Sequence, residues 1–440
     1  MRRDLLERRP PVLGKTTVFI ILDAFRWDYL NPEDTPFLWR RASEGLHVCR
    51  VVSSTGFTQR AAMFTGAYPD VTDCYTMFCY DRMGSPYRFL RPLGEPLRWL
   101  AAGTERFAPF DLLERGLRHR VLYRLGRVFA AHASPAFIPL HLLPLIGVTE
   151  DRVSIHGPGA FPVPSIFDRL REQGGSYRFL MFPDLFGDDD AVLDAALRAV
   201  GDGHDLYLLQ FSDSDALCHL HGSEGEVRRQ VARELDRKVG LVVEAFERAY
   251  ADPGFMILGD HGMMDVETAV DVASVVHGRA ARAGLRHGSD YLLFLDSTLA
   301  RLWSFNDRAR RTLEDVFASP PLDECGHLID EAMAARYRIP TPGPRYGEQI
   351  WWAAPGVLIH PDYFHPRRQV VKGMHGYDSY HEKMMGFAIV AAPGYGRGSL
   401  ESASLVDVCP TLCDLVGLPY PDANEGESFA RRLERCMSPL

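Results

Sequence analysis

The run Gly259-Asp260-His261-Gly262-Met263 sets a carboxylate and an imidazole side by side. It follows Phe255-Met256-Ile257-Leu258, an apolar run that reads as a buried strand. Both side chains therefore stand just past a strand's C-terminal end, the edge where open α/β sheets place their sites. Three other segments carry matching chemistry. Asp23 directly follows the apolar run Thr17 to Leu22. The stretch Asp213-Ser214-Asp215-Ala216-Leu217-Cys218-His219-Leu220-His221 follows the strand-like run Leu206 to Phe211. Asp215 and His219 are four residues apart, so on a helix they share a face and can chelate one ion. Asp213 and His221 read as supporting hydrogen-bonding groups. His375 stands between glycines in Gly373-Met374-His375-Gly376-Tyr377. Packing explains a histidine there poorly, while the glycines let the backbone turn the imidazole into a site.

Asp23, Asp215, His219, Asp260, His261 and His375 combine carboxylates with imidazoles. That mix suits zinc, with manganese or iron as alternatives. The set is too large for one catalytic zinc with an open position. It suits two ions about 4 Å apart, a spacing used for in-line displacement at phosphorus.

The elements that must position these residues alternate between strand and helix. Strands are expected over Thr17 to Leu22, Val48 to Val52, Tyr177 to Phe182, Leu206 to Phe211, Phe255 to Leu258 and Gly386 to Ala391. Tyr291 to Leu295 and Leu299 to Ser304 read as a strand pair. Helices are expected after Asp34-Thr35-Pro36, over Thr58 to Phe64, Ser165 to Gln173, Glu224 to Tyr250 and Leu405 to Leu415. This rhythm argues for a mainly parallel sheet covered on both faces. The segment 81–162 breaks it, being rich in aromatics, proline and arginine. Its middle, Asp111 to His132, is an amphipathic and locally basic helix in pattern. That helix suits a cap over the site, weak docking on a membrane or polyanion, or a plain solvated surface.

Composition narrows the classes. The chain has 440 residues, 46% hydrophobic and 24% charged, with a formal net charge of −9. This is a globular composition with length for a large core. A net negative charge disfavours a duplex nucleic-acid binder. The apolar stretch Val18 to Leu22 is too short for a signal sequence or a membrane span, which leaves the cytoplasm as the expectation. The eight cysteines form no C-x-x-C pair, as free thiols in a reducing compartment would.

The order Asp, Thr/Ser-bearing helix, Asp-x-x-x-His, Asp-His-Gly-Met, Gly-x-His-Gly-Tyr resembles the alkaline phosphatase superfamily. Its nucleotide pyrophosphatase/phosphodiesterase (type I phosphodiesterase) branch is the most similar. Leu22-Asp23-Ala24-Phe25-Arg26, Phe64-Thr65-Gly66-Ala67-Tyr68-Pro69 and the tail Val406 to Leu415 support the likeness. It covers about residues 16–420 as one catalytic domain. The segment 81–162 is an insertion within it, and 1–15 and 421–440 are terminal extensions. The resemblance implies an alkaline-phosphatase-like three-layer α/β sandwich with an inserted cap-like segment. It implies one zinc on Asp215, His219 and His375, and another on Asp23, Asp260 and His261. It also implies a Thr or Ser nucleophile at a helix N-terminus and a covalent phospho-enzyme. The substrate class would be a small-molecule phosphate ester, most simply a diester. A phosphomonoesterase, a phospho-group transferase and a metal-retaining protein without catalysis are the alternatives.

One position departs from the family. The nucleophile is expected nine residues before Thr65, and that residue is Gly56. Thr58 is then the first candidate for the hydroxyl and Thr55 the second, and an altered site is the remaining alternative. Thr58 suits a helix N-cap. Gln59 or Arg60 are candidates to donate to phosphoryl oxygens, and Arg26 and Arg82 are further candidate cations. The sulfatase frame Cys-x-Pro-x-Arg lacks both its Cys and its Pro in Gly56-Phe57-Thr58-Gln59-Arg60, so sulfatase chemistry is disfavoured.

Overall fold

The computed structural model describes residues 15–93, 96, 137–150, 154–181, 184–185, 188–340, 344–365 and 369–437. The amphipathic segment 111–132, and with it the expected cap or docking helix, lies outside the described residues.

Eleven strands form the two sheets that matter for the site. They are β1 Thr17–Leu22, β2 Leu46–Val52, β3 Tyr177–Leu180, β4 Leu206–Phe211, β5 Gly254–Gly259, β6 Tyr291–Leu295, β7 Leu299–Ser304, β8 Gly326–Leu328, β9 Gln349–Ala353, β10 Gly386–Ala391 and β11 Gly398–Ser404. The central sheet has the order β11-β2-β10-β5-β1-β4-β3. β1 pairs in parallel with β4 and β5, and β3 and β11 also pair in parallel with their neighbours. Only β10 runs against the rest, between β2 and β5.

Burial follows strand alternation. Phe19 and Ile21 of β1 face one core, and Val18, Ile20 and Leu22 face the other. The first core is closed by α2 (Gln59–Thr65) and α5 (Val408–Val416). The second is closed by α1 (Pro36–Glu44) and the long α4 (Gly225–Ala249). Both faces of β1 are thus dry, which is why its sequence is continuously apolar rather than alternating. Pro36 opens α1 at its first position, where the missing N–H costs nothing. The helix Ile166–Glu172 starts at a capping box between Ser165 and Asp168. Gly66 ends α2 in the left-handed conformation.

The smaller sheet, β6-β7-β9-β8, is wholly antiparallel. Patterning identified its β6-β7 hairpin, but not β8 and β9. Its core also takes in Tyr87, Ile138, Leu140 and Ile146. Much of the described part of the 81–162 insertion therefore packs in the core of the smaller sheet, while Ile155 and Phe161 near its end pack in the first core. Beyond residue 420, Phe429 and Leu433 of the helix Phe429–Met437 pack in the first core beside β2 and β11. Among the described residues no helix is long and apolar enough to cross a membrane.

Candidate metal centre

The ligand candidates converge at the carboxyl edge of the central sheet. Asp23 follows β1, Asp260 and His261 follow β5, and Asp215 and His219 lie on α3 (Asp213–His221) directly after β4. Since β4, β1 and β5 are adjacent and parallel, their ends deliver these side chains to one place. His375 arrives separately, on the loop after Gly373.

Among the described residues, two clusters have ligand atoms within 4.8 Å of one another: Asp23, Asp260 and His261; and Asp215, His261 and His375. His219 joins the second through Asp215, its Nε2 lying 3.3 Å from Asp215 Oδ1. His375 Nε2 lies 3.5 Å from the same oxygen. Neither approach has hydrogen-bond geometry, and Asp215 Oδ1 is a buried oxygen without a hydrogen-bond partner among the described residues. A buried carboxylate oxygen flanked by imidazole nitrogens is costly unless something positive joins them. The donor set is nitrogen and oxygen, as a borderline cation prefers. These residues fit a metal ion.

The surrounding bonds aim the imidazoles. His219 Nδ1 lies 2.8 Å from the Gly373 carbonyl, and His261 Nδ1 lies 2.9 Å from the Gly262 carbonyl. A proton on Nδ1 donated to a carbonyl leaves Nε2 as the lone-pair donor, the usual outer-sphere arrangement for a metal-bound histidine. Asp260 Oδ1 accepts the backbone N–H groups of Ala24 and His261, which orients its other oxygen. Ala24 holds this place at φ 54°, an uncommon conformation for a residue with a Cβ.

Charge is concentrated here. Burial would raise the Asp23 carboxyl, but the hydrogen bond and charge of His261, with Arg60 and Gln210, bring it below the ordinary value. Burial pushes Asp260 up to about 7. Asp260 feels the His261 charge but lacks the side-chain hydrogen bonds and the Arg60 charge that lower Asp23, and the Asp23 charge itself pushes it up. His261 is pushed up to about 10: burial opposes its charge, but Asp260 and Asp23 outweigh it. His375 is held well below the ordinary imidazole value by burial and by the neighbouring imidazoles.

The loop 53–60 borders this cluster. Thr58 occupies the N-cap position of α2, but its side chain makes no capping bond. Its hydroxyl instead donates to the Cys74 carbonyl at 2.7 Å. Thr55 Oγ1 lies 3.4 Å from the hydroxyl of Ser379, on the loop that carries His375. Gly56 has φ 95°, and a Cβ there would overlap the Tyr75 carbonyl and come within 2.7 Å of the Tyr75 ring. Phe57 packs edge-on to His375, 5.7 Å between centroids, and fills the space a Cβ at Gly376 would need.

Other candidates stand away from this role. Arg26 is buried and pairs with Asp28 and Glu224, which removes it as a cation for phosphate. Arg82 and His221 are exposed, and Asp213 lies 3.8 Å from Lys238. Arg60 donates to Gln210 Oε1 at 3.2 Å.

Sequence reasoning missed the supports. Gln210 donates to Asp23 Oδ2 at 2.6 Å, and its signal was visible as the one polar residue inside the apolar run LYLLQF. Thr298 and Trp352 both donate to the Gly376 carbonyl, at 2.8 and 3.0 Å, and tie the His375 loop to the smaller sheet. Nothing in their local sequence marks that role.

A mainly parallel sheet sandwiched by helices, with carboxylates and imidazoles at its carboxyl edge, defines an alkaline-phosphatase-like α/β protein. The chain belongs to the type I phosphodiesterase / nucleotide pyrophosphatase family, whose sequence model matches residues 17–378. It is 24% identical over 233 residues to human ectonucleotide pyrophosphatase/phosphodiesterase family member 7, covering 50% of this chain and 47% of that protein. The rat protein of the same name is 22% identical over 247 residues, covering 53% and 52%. The chain thus spans about half the length of the curated relatives it matches. Among solved structures, human ectonucleotide pyrophosphatase/phosphodiesterase 5 superposes with a TM-score of 0.64 at 16% identity, over 92% of this chain and 95% of that one. An inactive variant of the murine protein, in complex with AMP, superposes with a TM-score of 0.64 at 14% identity, over 92% and 96%. These likenesses extend the agreement in fold across nearly the whole chain.

Proposed function

We propose that this protein is a two-metal hydrolase of phosphoric esters, acting on diesters of the nucleotide type. Asp215, His219 and His375 would hold one ion, and Asp23, Asp260 and His261 the other. Zinc is the metal of choice for this nitrogen and oxygen set. The unpartnered Asp215 Oδ1 between two imidazole nitrogens carries the reading. Ions bound there would supply Lewis acidity to the phosphoryl oxygens and lower the pKa of an attacking hydroxyl or water.

The chain's own residues supply the rest. Between the two candidate hydroxyls, Thr55 is favoured, because the Thr58 hydroxyl is engaged by the Cys74 carbonyl. Thr55 Oγ forms the bond to phosphorus as the leaving-group oxygen departs, and water then hydrolyses the phosphothreonine. Gln59 donates to the Ser54 and Gly56 carbonyls at 2.9 and 3.3 Å, and so holds the loop that presents Thr55. A diester is favoured over a monoester because a dianionic phosphoryl group calls for added cations, and Arg26 is closed within its own ion pairs. The AMP complex of the murine relative supports a nucleotide-type ester.

Gly56 favours a second reading, a metal-retaining protein without catalysis. Metal analysis and turnover of a mono-, di- and sulfate ester panel separate the two. The hydrolase reading expects about two zinc ions per chain, and diester turnover lost in Thr55→Ala but retained in Thr58→Ala. Bound zinc with no turnover on any ester would leave only the second reading. For localisation we propose the cytoplasm, supported by eight cysteines that are all free thiols. Recovery of the native protein outside the cytoplasm on fractionation would overturn that.

A further inference from the structure

Gln210 is a polar residue inside a buried strand, 8% exposed, with Leu209 and Phe211 beside it fully enclosed. A glutamine at such a position is tolerated only when its amide is satisfied. Both ends are engaged, and in one direction. Its Nε2 donates to Asp23 Oδ2 at 2.6 Å, and its Oε1 accepts from Arg60 Nη2 at 3.2 Å. The opposite amide orientation would set oxygen against carboxylate and N–H against guanidinium. Oδ2 of Asp23 is therefore fixed, while Oδ1 faces His261 Nε2 at 3.2 Å. Arg60 belongs to the first turn of α2, next to Gln59, which holds the loop bearing Thr55. One helical turn thus braces both the proposed nucleophile loop and one proposed metal ligand.

We propose that Gln210 is a positioning residue for Asp23: it holds one carboxylate oxygen so that the other is presented to the metal ion shared with Asp260 and His261, and Arg60 acts by holding Gln210 in that pose. The proposal rests on the two-metal reading and extends it. Outer partners of metal-ligating carboxylates tune affinity about 10–100-fold. Leu or Met at this position would continue the apolar run, so the polar residue serves the ligand rather than the core.

The test uses zinc alone and the full-length protein, with binding measured by chelator competition. His219→Ala together with His375→Ala removes both imidazoles particular to the other site and leaves Asp23, Asp260 and His261, and Gln210→Met is added to that background. The expected result is about 10–100-fold weaker zinc binding at this site, with a smaller loss of the same kind in Arg60→Met. In the otherwise intact protein, Gln210→Met should leave the Asp215–His219–His375 site at wild-type affinity, and added zinc should recover diester turnover. Unchanged binding, or equal weakening of both sites, overturns the proposal. Should Gln210→Met lower the melting temperature of the metal-free protein, Arg60→Met decides, since it leaves the strand untouched. Wild-type protein that binds no zinc would instead overturn the two-metal reading itself.

Discussion

The smaller sheet contains a fully buried ion pair whose loss should be measurable. Arg301, on β7, donates from Nε to Asp296 Oδ2 at 2.6 Å and from Nη2 to Asp296 Oδ1 at 3.3 Å. Its Nη1 donates to the Phe78 carbonyl at 2.8 Å, and both side chains are wholly enclosed. Arg301→Met removes the cation but keeps most of the volume. Asp296 is left buried without its partner, a change that costs about 3–5 kcal/mol. The cost should depend on pH. Burial already pushes the Asp296 carboxyl up to about 6 with Arg301 beside it, and removing the guanidinium raises it further. A folded-state value above the unfolded one, about 3.9, means stability is retained at low pH and lost as pH rises through the folded value. Urea titration should therefore show Arg301→Met far less stable than wild type at pH 8, with a smaller gap at pH 5. Replacing both partners, Asp296→Leu with Arg301→Met, should recover much of the loss, because an apolar pair leaves no orphaned charge. A single variant within about 1 kcal/mol of wild type at pH 8, well below the expected cost, would refute this. So would a double variant no more stable than the single one.

Three further outcomes follow from the site. Gly56→Ala should destabilise by roughly 2–5 kcal/mol, from a left-handed backbone and overlap with Tyr75; a melting temperature equal to wild type would count against the loop as described. Thr58→Ala should cost about 1–3 kcal/mol by leaving the buried Cys74 carbonyl without its donor, which denaturant titration reads separately from turnover. Chelation with EDTA should abolish ester hydrolysis, and zinc should restore it; full activity after exhaustive chelation would exclude the metal-based reading.

Much of the fold could be read from sequence because its strands are buried on both faces. β1, β4 and β10 have the bounds expected from apolar runs alone. The ligand candidates were legible for a related reason: a charged residue directly after such a run has few structural explanations. Asp23 stands there, Asp260 stands one glycine beyond its run, and Asp215, four residues past Phe211, is marked instead by its spacing to His219. What stayed hidden depends on chain-distant contact. The smaller sheet joins β8 and β9 to a hairpin earlier in the chain, and β8 has only three residues, with no periodicity to detect. Thr298 and Trp352 act on Gly376 through single hydrogen bonds across 78 and 24 residues of sequence. The Thr58 hydroxyl was expected to cap α2. It is drawn instead to the Cys74 carbonyl, an acceptor that sequence could not place beside it.

The two sheets support the proposed metal sites unequally, and that difference has a consequence. Asp23, Asp260 and His261 all issue from neighbouring strands of the central sheet, β1 and β5, so one rigid element fixes them. His375 is fixed differently: Gly373 and Met374 pair with Asp265 and Met264 just past β5, Gly373 is also held by His219, Gly376 by Thr298 and Trp352, and the ring by Phe57. The site built from Asp215, His219 and His375 therefore spans both sheets, whereas the other belongs to one. Loosening the smaller sheet should weaken the spanning site first. Thr298→Val keeps the side-chain shape but removes the donor to Gly376. It should lower zinc affinity at the Asp215–His219–His375 site while leaving the Asp23–Asp260–His261 site unchanged. Chelator competition that found the two sites weakened together, or neither weakened, would mean that the pairing of Gly373 and Met374 with the segment past β5, not the smaller sheet, sets the His375 loop.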